Sequence, residues 1–188
     1  MNNNKTLSIN EVFLLAVKKH QQNKTDVAQK LYSQVLKINQ NHVDAHNNLG
    51  VIFKNLGENE KAIDCYEKAI AINPNYVNAH NNLGLVFKNL GENEKAIDCY
   101  EKAIAINPNY VDAYNNLGII FDQLGQNQKA IDCYEKAITI NPNHANAHNN
   151  LGVILKKIGQ NQKAIDCYEK AIAINPNYAN THNNLGII

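Results

Sequence analysis

Apolar residues recur along the chain with the three-to-four-residue period of an amphipathic α-helix, in short stretches separated by turn residues. In the first clear stretch, residues 43–56, the apolar positions share one arc of roughly 100° on a helical wheel. These positions are Ala45, Leu49, Ile52, Phe53 and Leu56. The polar positions on the opposite arc are Asp44, Asn47, Asn48, Lys54 and Asn55. The pattern predicts a helix that ends near Gly57, because glycine commonly terminates helices.

A second helix is predicted from Glu60 to Ile72, where the apolar stripe covers roughly half of the circumference. Pro74 stops this helix because proline has no N–H group and disfavours helical geometry at the residue before it. The two short helices and their tight turn form a hairpin. Since the second helix presents more apolar surface than one partner covers, each hairpin must also contact another hairpin.

The pattern repeats at a fixed period of 34 residues, which marks a repeat architecture. The prolines and cysteines all keep this step: Pro74, Pro108, Pro142, Pro176, Cys65, Cys99, Cys133 and Cys167. Full units span residues 43–76, 77–110, 111–144 and 145–178. A fainter unit at 9–42 is interpreted as a capping repeat, and it follows a polar segment at 1–8.

Residues 179–188 begin a further unit and stop within its first helix, where Leu185, Ile187 and Ile188 lack a second helix to cover them. We therefore expect the chain to be part of a longer protein, or this end to dock head to tail onto a second copy. The near identity of the units makes such stacking plausible. Neither helix of a unit is long enough to be stable alone, so the hairpins are expected to stack into an all-α solenoid.

The units resemble the tetratricopeptide repeat (TPR), whose spacing is W-x2-L-G-x2-Y…A-x3-F…P over 34 residues. The first full unit supplies this skeleton with His46, Leu49, Gly50, Phe53, Ala62, Tyr66 and Pro74. His or Tyr stands in place of Trp throughout, and Leu155 replaces the aromatic residue in the fourth full unit. The resemblance implies a right-handed α-solenoid of stacked antiparallel helix hairpins, a TPR superhelix.

The resemblance also implies that the first helix of each unit lines a concave groove that binds a peptide. One asparagine per unit is similar to those of O-GlcNAc transferase repeats, which bind the backbone of an extended peptide. We call this set the Asn column: Asn48, Asn82, Asn116, Asn150 and Asn184. A carboxamide offers both a donor and an acceptor, so it matches a peptide backbone whatever its sequence. The alternative is that the asparagines bond neighbouring helices or face water.

Other groove positions complete the predicted site. The asparagines preceding the Asn column are Asn47, Asn81, Asn115 and Asn149, and an aliphatic strip comprises Val51, Leu85, Ile119 and Val153. This strip either contacts ligand side chains or packs on the adjacent helix. Asp44 and Asp112 are candidates for selecting side chains. Lys54 and Lys88 share a column with Asp122, so the groove has no single sign of charge. A carboxylate clamp of the chaperone-binding type is disfavoured, because no cation occupies its positions.

Composition narrows the range of functions. Lys plus Arg number 18 and Asp plus Glu 17, so the net charge of +1 does not indicate a nucleic-acid partner. No apolar run approaches the roughly 18 residues of a membrane span, and we expect no membrane partner. The cysteines fall on the apolar arc and are interpreted as packing residues, which suits a reducing, cytoplasmic compartment. The pairs His42/His46 and His144/His148 have metal-ligand spacing, but incidental placement is favoured, and no metal or cofactor is expected.

No phosphate loop, metalloprotease motif or nucleophile elbow is present in the sequence, so this segment is not expected to be an enzyme. The sequence predicts a protein-interaction scaffold that holds an extended peptide or partner segment through the Asn column. The alternatives are a substrate-recruiting region of a larger transferase and a self-assembling spacer. The sequence also predicts that replacing Asn82, Asn116 and Asn150 by Ala leaves the melting temperature nearly unchanged, since Asn is a poorer helix former than Ala.

Overall fold

The structure is a computed structural model that describes residues 7–186. Most of the predicted polar segment (1–6) and two residues of the predicted uncovered end, Ile187 and Ile188, lie outside the described residues. The chain divides into two compact units, residues 1–90 and 91–188, which are considered in turn. Between residues 7 and 186 all regular secondary structure is α-helical.

The first unit has its helices in hairpin order, with bounds that are the same in successive repeats. They are α1 (Ile9–Gln21), α2 (Thr25–Ile38), α3 (Val43–Asn55), α4 (Asn59–Ile72) and α5 (Val77–Asn89). Helix α1 packs against α2 and α3 against α4, and each second helix also packs against the first helix that follows it. The predicted stack of helix hairpins is therefore confirmed here, and the helix bounds agree with the sequence to about one residue.

The second unit follows the same order. It contains α6 (Asn93–Ile106), α7 (Val111–Gln123), α8 (Asn127–Ile140), α9 (Ala145–Lys157), α10 (Asn161–Ile174) and α11 (Ala179–Gly186). Helices α7 and α8 form one hairpin and α9 and α10 another, while α6 packs against α7, α8 against α9, and α10 against α11. Helix α7 also contacts α9, so first helices of successive repeats are neighbours.

The first helix of each full repeat ends at a glycine in the left-handed region, as the sequence predicted for Gly57. The φ of Gly57 is 76°, and the N–H of Glu58 bonds the carbonyl of Phe53 at 2.9 Å while that of Gly57 bonds Lys54 at 3.1 Å. This pair of bonds is a Schellman motif, which satisfies carbonyls that the helix end leaves free. Asn23 (φ 57°) takes the place of the glycine in the first repeat, since Asn tolerates this conformation.

In the hairpins α3–α4, α7–α8 and α9–α10, a helical glycine lies close to a tyrosine ring. A Cβ at Gly50 would lie 2.7 Å from Cε1 of Tyr66, and one at Gly118 would lie 2.6 Å from Cε1 of Tyr134. The tyrosines are completely or almost completely buried. Cys65 is buried in the core of the first unit, in agreement with its predicted packing role. Within residues 7–186, no helix is both long and apolar enough to cross a membrane.

Candidate functional site

The asparagines of the first helices form two rows with different exposure. Members of the Asn column are partly buried, with one side open to solvent. The preceding asparagines, which we call the inner Asn row, are almost completely buried: Asn47 6%, Asn81 7%, Asn115 8% and Asn149 6% exposed. The helical wheel placed Asn47 on the solvent-facing arc, and this placement is wrong. The first helix of the next repeat covers that side, since α3 contacts α5 directly.

In the first unit, the two rows are joined by hydrogen bonds. The Nδ2 of Asn82 donates to Oδ1 of Asn47 at 3.0 Å, across the two repeats. Asn47 in turn donates from Nδ2 to Oδ1 of Asn48 at 3.3 Å. A side-chain hydrogen bond also links Asn48 to the Tyr32 hydroxyl, where burial raises the pKa of Tyr32 and the bond to Asn48 opposes that rise. A buried carboxamide without partners is costly, so these bonds stabilise the stack.

The second unit contains the same arrangement. Asn150 donates from Nδ2 to Oδ1 of Asn115 at 3.2 Å, and Asn149 donates to Oδ1 of Asn150 at 3.3 Å. The Oδ1 of Asn149 accepts two bonds, from Asn184 at 3.1 Å and from the buried Thr181 hydroxyl at 3.0 Å. These asparagines therefore bond neighbouring helices, as the structural alternative for the Asn column requires.

The bridges described for Asn82 and Asn150 each use one N–H group of the donating amide. A carboxamide has two N–H groups and two oxygen lone pairs. Asn82 and Asn150 have intermediate exposure, so neither side chain is closed off from solvent. Binding of a ligand by these amides stays a prediction.

Asp44 and Asp112 lie at the amino-terminal ends of first helices and contact the following repeat. The hydroxyl of Tyr76 donates to Oδ1 of Asp44 at 2.5 Å. Oδ1 of Asp112 lies 3.7 Å from Nε2 of His144, and the interaction with that imidazole holds the pKa of Asp112 below its usual value. Both carboxylates thus contact the turn residue that precedes the next first helix in their unit. The role of these aspartates in selecting ligand side chains stays a prediction.

The remaining groove candidates are partly buried. The aliphatic strip has intermediate exposure throughout: Val51, Leu85, Ile119 and Val153. Lys54 and Lys88 are also intermediate, and burial lowers the pKa of Lys88. Asp122, in the same column, forms an ion pair with Lys157 at 3.0 Å. This combination keeps the first-helix face without a dominant charge.

A set of histidine contacts was not foreseen from the sequence. The Nε2 of His46 bonds the carbonyl of Gln40 at 2.8 Å, and the same bond to the residue six positions earlier recurs with proline carbonyls at 2.8–2.9 Å in later repeats. The Nδ1 of His42 accepts the Ala45 N–H at 3.2 Å, which caps α3. Each of these imidazoles therefore links a first helix to the turn that precedes it. In the described part of the chain, no group of three or more His, Cys, Asp or Glu side chains is arranged to hold a metal.

Comparisons with known proteins agree with this geometry. A family model described as TPR repeat matches residues 18–57 and 52–91, and one described as Tetratricopeptide repeat matches 77–110, 111–144 and 145–178. A crystal structure of MamA is 31% identical, with a TM-score of 0.75, and the match covers 87% of this chain and 96% of that one. No protein of curated function matches the sequence.

Two further solved structures share the fold at lower identity. PilF from Pseudomonas aeruginosa is 20% identical, with a TM-score of 0.85 over 95% of this chain and 87% of its own. YrrB, described as a TPR protein with an unusual peptide-binding site, is 22% identical, with a TM-score of 0.70 over 94% of this chain and 91% of its own. The repeat period, the stacked helix hairpins and the family matches lead to one conclusion: the chain belongs to the tetratricopeptide repeat family.

Proposed function

We propose that this chain is a protein-interaction scaffold whose first helices bind an extended peptide by its backbone. The observation that carries the proposal is the half-buried Asn column. The bond from Asn82 to Asn47 fixes the orientation of the Asn82 amide and uses one of its two N–H groups, so that in this proposal the second N–H serves the ligand. Polar groups that are fixed before binding lose little conformational entropy when a ligand arrives. The column therefore offers one oriented backbone partner per repeat.

The other residues of the first-helix face supply selectivity in this proposal. The aliphatic strip, with Val51 as its first member, contacts side chains that project from the peptide. Asp44 accepts a hydrogen bond from Tyr76 and Asp112 faces His144 at 3.7 Å, and each carboxylate has further lone pairs for a ligand donor. Because Lys54 and Lys88 are offset by Asp122 and other carboxylates, a peptide with a long block of one charge is not the expected ligand.

The proposal assigns no catalytic role to the chain, and it places the protein in the cytoplasm. Cysteines without a disulfide, such as Cys65 and Cys133, suit a reducing compartment. Burial raises the pKa of both thiols to about 11, so they stay protonated near neutral pH. YrrB, whose description mentions a peptide-binding site, shares this fold. At 22% sequence identity the likeness to YrrB concerns the fold alone, so the Asn column is the basis for proposing peptide binding.

Backbone recognition makes a specific experiment possible. An array of unrelated extended peptides is screened with the intact chain, and the strongest binder is then synthesised with single N-methylated backbone amides. We expect N-methylation at positions facing the column to weaken binding at least tenfold, while alanine substitution of most peptide side chains has a smaller effect. Binding that tolerates every N-methyl group but depends on particular side chains would contradict backbone recognition.

Protein variants provide the matched control. Asn82→Ala and Asn150→Ala remove column amides, whereas Gln34→Ala removes an exposed amide from α2, on the face of the second helices. We expect the first two variants to lose affinity for the selected peptide and the third to keep it. Circular dichroism at the assay temperature confirms that each variant is folded, because the column amides also contribute to stability.

The similarity of the Asn column to O-GlcNAc transferase repeats suggests a narrower form of the same proposal. In that form the first helices present a protein substrate to a transferase domain of a longer protein. The relatives named above include no transferase, so we rank this form second. Sequencing the gene beyond the codon for residue 188 distinguishes the two forms, because only the narrower one requires a catalytic domain.

End-to-end self-association ranks below peptide binding. In the first repeat, Glu11 and Lys18 are exposed at the positions where α3 carries the buried Ala45 and Ile52. A head-to-tail stack on this repeat would bury two charges, which is unfavourable unless both find partners. Light scattering over a concentration series tests the point: a constant monomer mass excludes this association.

A further inference from the structure

The second unit contains a surface groove of about 400 Å³ between α8 and α10, with α9 beneath it. Its floor is formed by Ile131 from α8, Leu151 and Leu155 from α9, and Cys167 from α10. The groove lies among the second helices of two repeats, so it is separate from the Asn column on the first helices. Nothing in the peptide-binding proposal uses it.

Comparison of the repeats shows why this groove is unusual. Leu155 stands where the three preceding full repeats carry an aromatic ring: Phe53, Phe87 and Phe121. In the repeat before, Lys129 places its ammonium 5.1 Å from the centre of the Phe121 ring. In the first full repeat, Lys61 lies 5.4 Å from the Phe53 ring. Both distances are within the range of a favourable cation–π interaction.

The lysine is retained in the fourth full repeat although the ring is not. Lys163 occupies the position equivalent to Lys61 and Lys129, eight residues after Leu155, and it lines the groove. Across residues 7–186, the structure shows no acidic or aromatic partner for the Lys163 ammonium. The groove therefore contains a lysine and apolar residues equivalent to those of the other repeats, but it lacks the phenylalanine ring that those repeats have at the position of Leu155.

We propose that this groove binds an aromatic side chain, phenylalanine or tyrosine, of a partner protein, which takes the place of the ring that Leu155 does not supply. Lys163 covers the face of the ring, and Leu151, Leu155 and Ile131 contact its other side. Cys167 adds a sulfur atom, which packs favourably against aromatic rings. The two lysines and two carboxylates of the rim, Lys163, Lys170, Glu135 and Asp166, balance in charge, which favours a neutral ring over an ion.

A capped amino acid provides a direct probe. N-acetyl-phenylalanine amide is titrated into the intact chain with ¹³C-labelled Ile and Leu methyl groups, and methyl spectra are recorded by NMR. We expect saturable ring-current shifts at the methyl groups of Leu155, Leu151 and Ile131, with a dissociation constant in the millimolar range because a single side chain buries little area. N-acetyl-cyclohexylalanine amide has a similar shape without π electrons, and we expect it to bind more weakly.

Two substitutions exchange the leucine and the phenylalanine that occupy equivalent positions in neighbouring repeats. Leu155→Phe supplies the missing ring and should abolish the shifts at Leu151 and Ile131. Phe121→Leu removes a ring from the preceding repeat and should create a second set of shifts at Leu117 and Ile97, the equivalent residues around it. Unaltered binding in Leu155→Phe, or no saturable shift in the native chain at the solubility limit of the probe, overturns the proposal.

The test is independent of the Asn column. If no peptide binds the first helices, the result of this titration still stands, because the capped amino acid has too little backbone to occupy the Asn column. The variant Lys163→Gln separates the contribution of the lysine charge from that of apolar contact with the groove. Weaker binding of the phenylalanine probe, with binding of the cyclohexylalanine probe unchanged, supports a cation–π contact. Equal effects on both probes would contradict the role given to Lys163.

Discussion

The hydrogen bond from Asn150 to Asn115 allows the structural role of the Asn column to be measured. In Asn150→Ala, the Oδ1 of Asn115, a residue only 8% exposed, loses the donor that lies 3.2 Å away. A buried acceptor left without its partner costs about 1–3 kcal/mol. The better helix propensity of alanine returns roughly 0.5 kcal/mol. We therefore expect the free energy of unfolding to fall by about 0.5–2.5 kcal/mol in total.

Asn184→Ala is the matched control for this prediction. It also removes a donor to a buried inner-row amide, Asn149, but the Thr181 hydroxyl still donates to the same oxygen at 3.0 Å. We expect a stability change near zero. The double variant Asn184→Ala/Thr181→Val removes both donors and should lose more than the sum of the two single changes, because only then is the Asn149 carbonyl unsatisfied.

Thermal and urea unfolding followed by circular dichroism measure these differences. For a chain of this length, about 0.5–2.5 kcal/mol corresponds to a decrease in Tm of about 1–10 °C. The sequence-based expectation was an unchanged or slightly higher Tm for substitutions in this column. If Asn150→Ala is as stable as the native chain, or more stable, the inter-repeat bond contributes nothing and the reasoning from the structure is wrong.

Three further predictions concern the core. Gly118→Ala should destabilise the chain by about 1–3 kcal/mol in urea unfolding, because its Cβ would lie 2.6 Å from the Tyr134 ring, although alanine is the better helix former. Tyr66→Phe should leave Tm unchanged or raise it, since the buried Tyr66 hydroxyl has no hydrogen-bond partner among residues 7–186. Above pH 9 the free energy of unfolding should decrease, because unfolded cysteine loses its proton near 9.0 whereas burial raises the pKa of Cys65 and Cys133 to about 11.

Each of these predictions has an internal control. Gly186→Ala meets open space and should not destabilise, so equal losses at Gly118 and Gly186 would exclude a clash with the ring. Tyr32→Phe removes a hydroxyl that bonds Asn48 and should lower stability by about 1 kcal/mol, unlike Tyr66→Phe. Replacing Cys65 and Cys133 by Ala should reduce the loss of stability between pH 9 and 10. An unchanged pH profile would show that the thiols are not responsible.

Much of the fold could be predicted from local sequence signals. Gly57 and Pro74 end helices through their own backbone chemistry, so the bounds of the hairpin followed from residue type. Gly50 and Tyr66 both belong to the repeat skeleton read from the sequence, and the two residues lie against each other in the structure. These features depend on contacts within one repeat. The same residues recur in several repeats, so the sequence contains the signal several times.

The candidate site was predicted only in part. The sequence identified the Asn column and left open that its asparagines bond neighbouring helices, but it placed Asn47 toward solvent. A helical wheel gives the direction of a side chain from its own axis and contains no information about a neighbouring helix on that side. The histidine contacts were missed for a similar reason, since the bond from His46 to the Gln40 carbonyl depends on how the preceding turn folds back over the helix.

The sequence by itself determined the repeat length, the helix hairpin and the residues that each repeat contributes to its own core. Only the tertiary structure decided which amide bonds which, and that Leu155 and Lys163 line the same groove. The physical reason is that hydrogen-bond partners and cavities arise between repeats, where side chains 32 to 35 positions apart meet. Their distances depend on the angle and offset at which helices stack, and residue order does not specify these quantities.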